Sequence, residues 1–194
     1  MLGILNRSTI RRKVLLLFVY NRGKEYYLSE IARRVKTSAG TAQRELNRLL
    51  AADMITFRKK GNLSFYKLNE GYSLIKEIEA IIRKTYGVEV ELERRLMKVR
   101  GILLAFIFGS YARGGIKSDS DIDLFIVGDP VEDEIFRAVK EVEDAVGRDI
   151  QYHIAGDDEF MRKAKTGSFY QEIVRRHILV IGDENELKRL IGTA

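Results

Sequence analysis

Hydrophobic positions in the first 70 residues recur at helical spacing and then change to a strand-like pattern. The elements predicted there are a buried helix over 8–20, a short helix over 28–35, a longer helix over 38–52, and a hairpin made of 54–60 and 63–69. Ser29 and Ser38 stand near the starts of the second and third helices, where their hydroxyls can cap free backbone N–H groups. Gly61 lies between two runs of aromatic and β-branched residues, which is typical of a hairpin turn.

The rest of the chain alternates between helical and strand patterns. Helices are predicted within 71–99, where Gly87 interrupts the period, and over 131–146, from 157 onward, over 169–176 and over 184–191; strands are predicted over 102–108, 121–127, 149–154 and 178–181. This order favours a small mixed sheet flanked by helices. We therefore expect an α+β protein with a first domain over 1–70, a helical connector over 71–87 and a second domain over 88–194.

Composition excludes several kinds of site. The 194 residues contain no Cys, which excludes a disulfide framework, a thiolate zinc site and a Cys nucleophile. Hydrophobic residues make up 45% of the chain, enough for a proper core. No run approaches the roughly 18 apolar residues of a membrane span, so we expect a soluble protein, cytoplasmic by default, with no membrane partner.

Charge is distributed unevenly along the chain. Residues 1–70 contain 15 Lys and Arg against 5 Asp and Glu, a net charge of +10, whereas the other 124 residues contain 19 against 23 and carry −4. The asymmetry indicates a polyanion-binding first domain. A highly charged surface of the thermophile type is the alternative explanation.

The helix over 38–52 carries an apolar stripe on one face and short polar groups and arginines on another. Such side chains near a helix N-terminus suit the major groove of double-stranded DNA, and cations in a hairpin suit its phosphates. The candidates for DNA contact are Ser38, Thr41, Arg44 and Arg48 on the helix, and Arg58, Lys59 and Lys60 in the hairpin.

The order of these elements resembles the winged helix-turn-helix domains of prokaryotic transcription regulators. The segments EIARRV and SAGTAQRELNRL and the Lys-rich hairpin carry this resemblance. It implies binding to double-stranded DNA and a role in transcription regulation. A small helical domain that binds protein is the alternative, and the helical connector could also pair two chains in a homodimer.

A chemical motif follows the apolar run over 102–108. Gly109 and Ser110 end that strand, where a missing side chain lets backbone and hydroxyl approach a phosphate. Asp121 and Asp123 lie two apart on the next strand, so both carboxylates point to one side. Because these carboxylates repel each other unless a cation lies between them, the spacing predicts Mg²⁺ bound by both, together with substrate phosphates.

The segment FGSYARGGIKSDSDIDLFIV resembles the polymerase-beta-like nucleotidyltransferase superfamily, in particular its minimal prokaryotic members. The resemblance implies transfer of a nucleoside monophosphate from an NTP, with ATP the expected donor, to a hydroxyl of a small molecule, protein or RNA. It assigns Gly109 and Ser110 to the terminal phosphates, Arg113 to a phosphate, and Asp121 and Asp123 to Mg²⁺. The intervening Ser118, Asp119 and Ser120 are expected to shape the turn before the second strand.

The superfamily uses a third carboxylate on a later strand to help activate the attacking hydroxyl. The matching strand here is 149–154, where Asp149, Gln151 and His153 share one face. Gln151 aligns with the third carboxylate but cannot act as a base. Asp149 is the candidate catalytic replacement or a surface acid at the strand start, and His153 is a further candidate, although a lone His is more often structural.

Two functions are compatible with these motifs. The chain could be a DNA-binding regulator whose transferase domain, weak or inactive, binds a nucleotide or a partner protein. It could equally be an active nucleotidyltransferase. Both can hold in one chain, because small transferases of this superfamily often act as antitoxins beside a helical toxin partner; this is an analogy with toxin–antitoxin systems.

Overall fold

The computed structural model of the protein describes residues 8–113 and 121–192. The chain divides into two compact units. The first contains the residues up to Gly87 together with Asp144–Gly147, and the second contains Val88–Glu143 and the residues from Arg148 onward. Within the described ranges, every helix is too short or too polar to cross a bilayer.

Among its described residues, the first unit combines four helices with a small antiparallel sheet. Its elements are α1 (Thr9–Tyr20), β1 (Tyr26–Tyr27), α2 (Leu28–Arg34), α3 (Ala39–Ala51), β2 (Ile55–Lys60), β3 (Leu63–Leu68) and α4 (Ile75–Tyr86). The strand order is β1-β3-β2. Helices α1 to α3 and the hairpin agree with the sequence patterns to within about two residues, and α4 begins four residues after the start of the predicted connector. The two-residue β1 is too short to show a period.

Serine side chains cap two of the four helices that the structure describes in the first unit. The hydroxyls of Ser8 and Ser38 accept the backbone N–H of Arg11 and Thr41. The cap predicted at Ser29 is wrong, because α2 begins at Leu28 with no side-chain cap. The preceding Tyr27 ends β1, where it pairs with Phe65, so the chain passes directly from strand to helix.

Apolar faces of the helices form the core of the first unit. Ala42, Leu46 and Leu49 of α3 are fully buried. The seven residues 14–20 of α1 are almost fully buried as well. α4 packs against α1, and an Arg83 guanidinium nitrogen donates to the carbonyl of Val19 at 3.2 Å. The helix over 75–86 therefore packs as part of the first unit.

A buried ion pair joins α1 to α3. Arg11 Nε lies 2.7 Å from Glu45 Oε2, and each side chain is only 8% exposed. Burial raises the pKa of Glu45, but the hydrogen bond and charge of Arg11, with help from Ser8 and Arg48, outweigh this and lower it. The ionised Glu45 also accepts a bond from Arg48 at 2.8 Å, so the ion pair helps to fix Arg48 on the exposed side of α3.

The second unit is built around four strands. Its elements are α5 (Val88–Leu96), β4 (Ile102–Phe108), α6 (Gly109–Ala112), β5 (Ile122–Gly128), α7 (Glu132–Val146), β6 (Ile150–Ala155), α8 (Asp157–Thr166), α9 (Ser168–Arg175), β7 (Ile178–Ile181) and α10 (Glu184–Ile191). The strand order is β6-β5-β4-β7, with β5 and β6 parallel and the other pairs antiparallel. The prediction of a mixed sheet flanked by helices is confirmed.

Both faces of this sheet are covered. On one face, Phe106 and Phe125 stack at 5.5 Å and pack with Phe160 of α8, in a cluster that also contains Ile173 of α9 and Leu187 of α10. The alternate strand residues on the other face are also buried: Ala105, Ile107, Ile122, Leu124 and Ile126. Strands covered on both sides form a rigid platform, and polar residues are left at the strand ends.

Candidate functional site

Two aspartates lie at the start of β5. Asp121 is exposed immediately before the strand, and Asp123 is half-buried within it. Asp123 pairs with Phe108 on β4 and with Gln151 on β6, so it lies on the sheet face that α8 and α9 cover. The structure thus places one carboxylate against the protein interior and the other towards solvent.

Gly109 holds the Asp123 carboxylate against the backbone. It begins α6 directly after β4 and has φ +71°, a conformation that favours glycine. A Cβ at this position would lie 2.2 Å from Asp123 Oδ2 and 3.1 Å from Asp123 Cγ. Both the backbone and the contact therefore require glycine here, and half-buried Ser110 follows beside it.

The surroundings of Asp123 disfavour its charge. Burial is the largest cause that raises the pKa of Asp123, and the negative charge of Asp121 raises it further. His153 and Arg113 oppose this shift but do not cancel it. A cation between the carboxylates would remove the repulsion, and hard oxygen ligands are those that Mg²⁺ prefers, so the residues present fit such an ion.

The described part of the chain brings no third acidic side chain to this pair in the arrangement of a metal site. Across residues 8–113 and 121–192, no group of three or more His, Asp or Glu side chains is placed to hold a metal ion. Asp149 is exposed just before β6, and its carbonyl accepts the backbone N–H of Ile122 at 3.0 Å. Gln151 is the residue in register with Asp123, while His153 lies in register with Phe125. An amide therefore lies beside Asp123 on β6.

A cavity of about 170 Å³ adjoins Gly109. Its lining residues are Phe108, Gly109, Arg113, Phe169, Glu172, Ile173 and Arg176. Arg113 donates to Glu172 Oε1 at 2.9 Å, which holds its guanidinium at the wall. Ser118, Asp119 and Ser120 lie outside the described residues.

The α9 residues in this wall were not among the sequence candidates. Phe169, Glu172, Ile173 and Arg176 recur at spacings of three and four, so they share one side of α9 and its end. Their spacing was visible in the sequence. That this side of the helix faces the Gly-Ser turn depends on tertiary packing.

The predicted DNA contacts on α3 lie on its exposed side. Ser38 and Thr41 are hydrogen-bonded to each other at the helix start, with 3.0 Å between their hydroxyl oxygens. Arg44 is exposed and donates to Thr41 Oγ1 at 3.1 Å, whereas Arg48 is held by Glu45. Arg44 is therefore the α3 arginine without a carboxylate bonded to it among the described contacts.

The cations of the hairpin differ in their surroundings. Arg58 Nε lies 2.9 Å from both carboxylate oxygens of Glu25. Lys59 and Lys60 at the end of β2 are exposed. The hairpin therefore offers two solvated lysines and one paired arginine.

Comparison with known proteins identifies the type of the second unit. Residues 91–186 match the family model described as polymerase beta, nucleotidyltransferase. The chain therefore contains a nucleotidyltransferase domain over this range. No curated protein matches the chain in sequence.

Several solved structures are similar in part. Reduced HlyU from Vibrio cholerae is 20% identical with a TM-score of 0.36, over 44% of this chain and 83% of that one. A toxin–antitoxin structure with AMP-PNP is 19% identical with a TM-score of 0.42, over 54% and 82%. A tri-AMPylated Shewanella oneidensis HEPN toxin in complex with MNT antitoxin is 16% identical with a TM-score of 0.33, over 54% and 84%.

Substitution of Gly109 by Ala tests whether its contact with Asp123 builds the site. Gly147 is the matched control, because it has the same φ of +71° and open space where a Cβ would lie. Both substitutions should cost about 1 kcal/mol of stability from the left-handed backbone. Only Gly109→Ala should also displace the Asp123 carboxylate and abolish Mg²⁺ binding, measured by calorimetry. Equal Mg²⁺ affinity in the two variants would contradict this role of Gly109.

Proposed function

We propose that this chain is a DNA-binding protein whose domain over 91–186 transfers a nucleoside monophosphate from an Mg²⁺-bound NTP, ATP foremost, to a hydroxyl. The observation that carries the proposal is the half-buried Asp123 carboxylate held against Gly109 and repelled by Asp121. A protein maintains such repulsion at a cost in stability, which is characteristic of a functional site.

Each residue of the site has a separate task. The backbone at Gly109 and the Ser110 hydroxyl bind the terminal phosphates. Asp121 and Asp123 hold Mg²⁺, which supplies charge neutralisation for phosphoryl transfer. Arg113, oriented by Glu172, presents its guanidinium in the wall of the cavity that contains Gly109.

The residue beside Asp123 sets the expected rate. Gln151 cannot accept the proton of an attacking hydroxyl. Asp149, the proposed base, is two residues before Gln151 in the chain, which corresponds to about 6–7 Å along a strand. We therefore expect slow transfer. A catalytically weak or inactive domain that binds a nucleotide or a partner protein is the second candidate, and the same Gln151 favours it.

The first unit supports the DNA-binding part of the proposal. The helix order, the exposed polar side of α3 and the basic hairpin resemble those of a winged helix-turn-helix, which is what supports DNA binding in this proposal. In this proposal Ser38, Thr41, Arg44 and Arg48 face the major groove. The acceptor in an antitoxin-like role would be a hydroxyl of a helical partner protein, and a homodimer would match paired DNA half-sites.

The Asp121→Asn/Asp123→Asn double variant should lose Mg²⁺-dependent binding of NTPs. We expect at least about a 100-fold weaker affinity in calorimetric titrations with ATP, GTP, CTP and UTP, since loss of an outer-shell partner alone costs about 10–100-fold. The control is Asp129→Asn, an exposed acid at the opposite end of β5.

The same double variant should melt at a higher temperature than the metal-free wild type at pH 7. Because the pKa of Asp123 is raised in the folded state, its ionised form costs stability once the pH exceeds the ordinary value of about 4. The difference should disappear in more acidic solution. Nucleotide binding that survives in the double variant would contradict the proposed site.

Gln151→Glu should increase the rate of transfer, because it places a carboxylate in register with Asp123. General-base catalysis typically contributes 10²–10⁴-fold, so we expect about 100-fold with radiolabelled NTP and a cell lysate as acceptor source. Gln151→Asn keeps the group uncharged and should remain slow. Asp149→Asn should abolish the residual rate of the wild type. No transfer by wild type and by Gln151→Glu would favour the binding-module function.

Arg44→Ala should weaken binding to duplex DNA about tenfold at constant salt, as expected for loss of one base-contacting arginine. Lys59→Ala should instead reduce the slope of log affinity against log salt by about 1. Lys76→Ala removes an exposed cation on α4 and serves as the control. Fluorescence anisotropy with labelled duplexes measures all three, and identical affinities would rule out this surface.

A further inference from the structure

The nucleotidyltransferase domain leaves an aromatic ring exposed beside the proposed phosphate site. Phe169 on α9 is 47% exposed, whereas its neighbours in the cavity wall, Phe108 and Ile173, are 9% and 2% exposed. The ring lies 5.7 Å from that of Phe108 at an interplanar angle of 86°, and 6.3 Å from that of His153 at 78°. Edge-to-face packing on two sides fixes the ring, yet nearly half of the residue faces solvent.

We infer that this cavity is the nucleoside subsite and that the base of the bound nucleotide stacks on Phe169. The inference rests on the proposed function, because it takes the phosphates to lie at Gly109. A base is tethered to those phosphates through the ribose, so it must occupy space that adjoins Gly109.

Two other cavities formed by described residues of this domain do not meet that condition. One between α5 and α7 is lined by residues such as Arg95, Lys98 and Arg137 and contains none of the site residues. Another along α9 shares Arg113, Glu172 and Arg176 with the cavity at Gly109, but it contains neither Gly109 nor an aromatic residue. The cavity that contains Gly109 is the one of these with aromatic walls.

The chemistry of the wall favours stacking over hydrogen-bond selection. Two of the polar groups in the wall, Glu172 and Arg113, are bonded to each other at 2.9 Å. Every base has a π-face, so a stacking platform accepts all of them. We therefore expect all four NTPs to bind, with purines tighter than pyrimidines because a larger ring makes more dispersion contacts.

Calorimetric titration of the full chain in Mg²⁺ tests this inference. The ligands are ATP, CTP and inorganic tripolyphosphate, which has the phosphates but no base. The variants are Phe169→Leu, which keeps apolar bulk but removes the aromatic face, and Phe169→Tyr, which keeps the face. Phe136→Leu is the matched control, since Phe136 is a 58% exposed phenylalanine on α7 of the same domain.

The expected result is specific to one residue and one ligand class. Phe169→Leu should weaken ATP binding about tenfold, the size of one base–aromatic contact, and weaken CTP binding less. Tripolyphosphate affinity should stay unchanged, Phe169→Tyr should bind ATP as the wild type does, and Phe136→Leu should match the wild type throughout.

Three other outcomes would overturn the inference. If tripolyphosphate and ATP bind but Phe169→Leu binds ATP as tightly as Phe136→Leu does, the base lies elsewhere and the proposed function stands. If Phe169→Leu weakens tripolyphosphate as much as ATP, the residue supports the fold of the site. If the wild type binds neither ligand, the proposed function fails together with the subsite.

Discussion

The approach of the Asp123 carboxylate to the backbone of Gly109 is the constraint on which the site of the second unit depends. It requires a residue without a side chain at the end of β4 and a left-handed turn into α6. It also holds Asp123 where burial and Asp121 raise its pKa. The antiparallel pairing of β4 with β5 maintains this geometry, because Phe108 and Asp123 are partners in the ladder. The apolar sheet thus supplies the rigidity, and its strand ends supply the chemistry.

Much of this arrangement could be predicted from local sequence. The strands of the second unit are short apolar runs between polar turns, and the motif located Asp121 and Asp123 at the start of one of these strands. Alternation put Gln151 on the polar face of the strand over 149–154. The match of residues 91–186 to a nucleotidyltransferase family model agrees with the motif that suggested it. The strands, the position of the two aspartates and the position of Gln151 could be predicted because they depend on periodicity and motif spacing, which are local signals.

Features that depend on distant contacts could not be predicted. Arg113 and Glu172 are 59 residues apart, and no local pattern encodes their pairing. Phe169 belonged to a predicted helix, but the exposure of its ring is set by Phe108 and by the cavity beside it. The cap of α2 was misplaced for a related reason, since a two-residue strand formed by long-range pairing decides where that helix begins. A polar hydroxyl near a helix start is a cap only if the chain enters the helix at that residue.

The pair formed by Arg58 and Glu25 has a consequence for how the hairpin responds to ionic strength. The hydrogen bond from Arg58 lowers the pKa of Glu25 and so further favours the ionised carboxylate. Arg58 therefore carries an internal counterion, and the two residues together have no net charge. A polyanion that binds there must compete with Glu25 and gains little local neutralisation, so few of its condensed cations are released. The contribution of Lys59 and Lys60 to polyanion binding therefore depends on the salt concentration. The contribution of Arg58 depends instead on whether a phosphate can displace the carboxylate of Glu25.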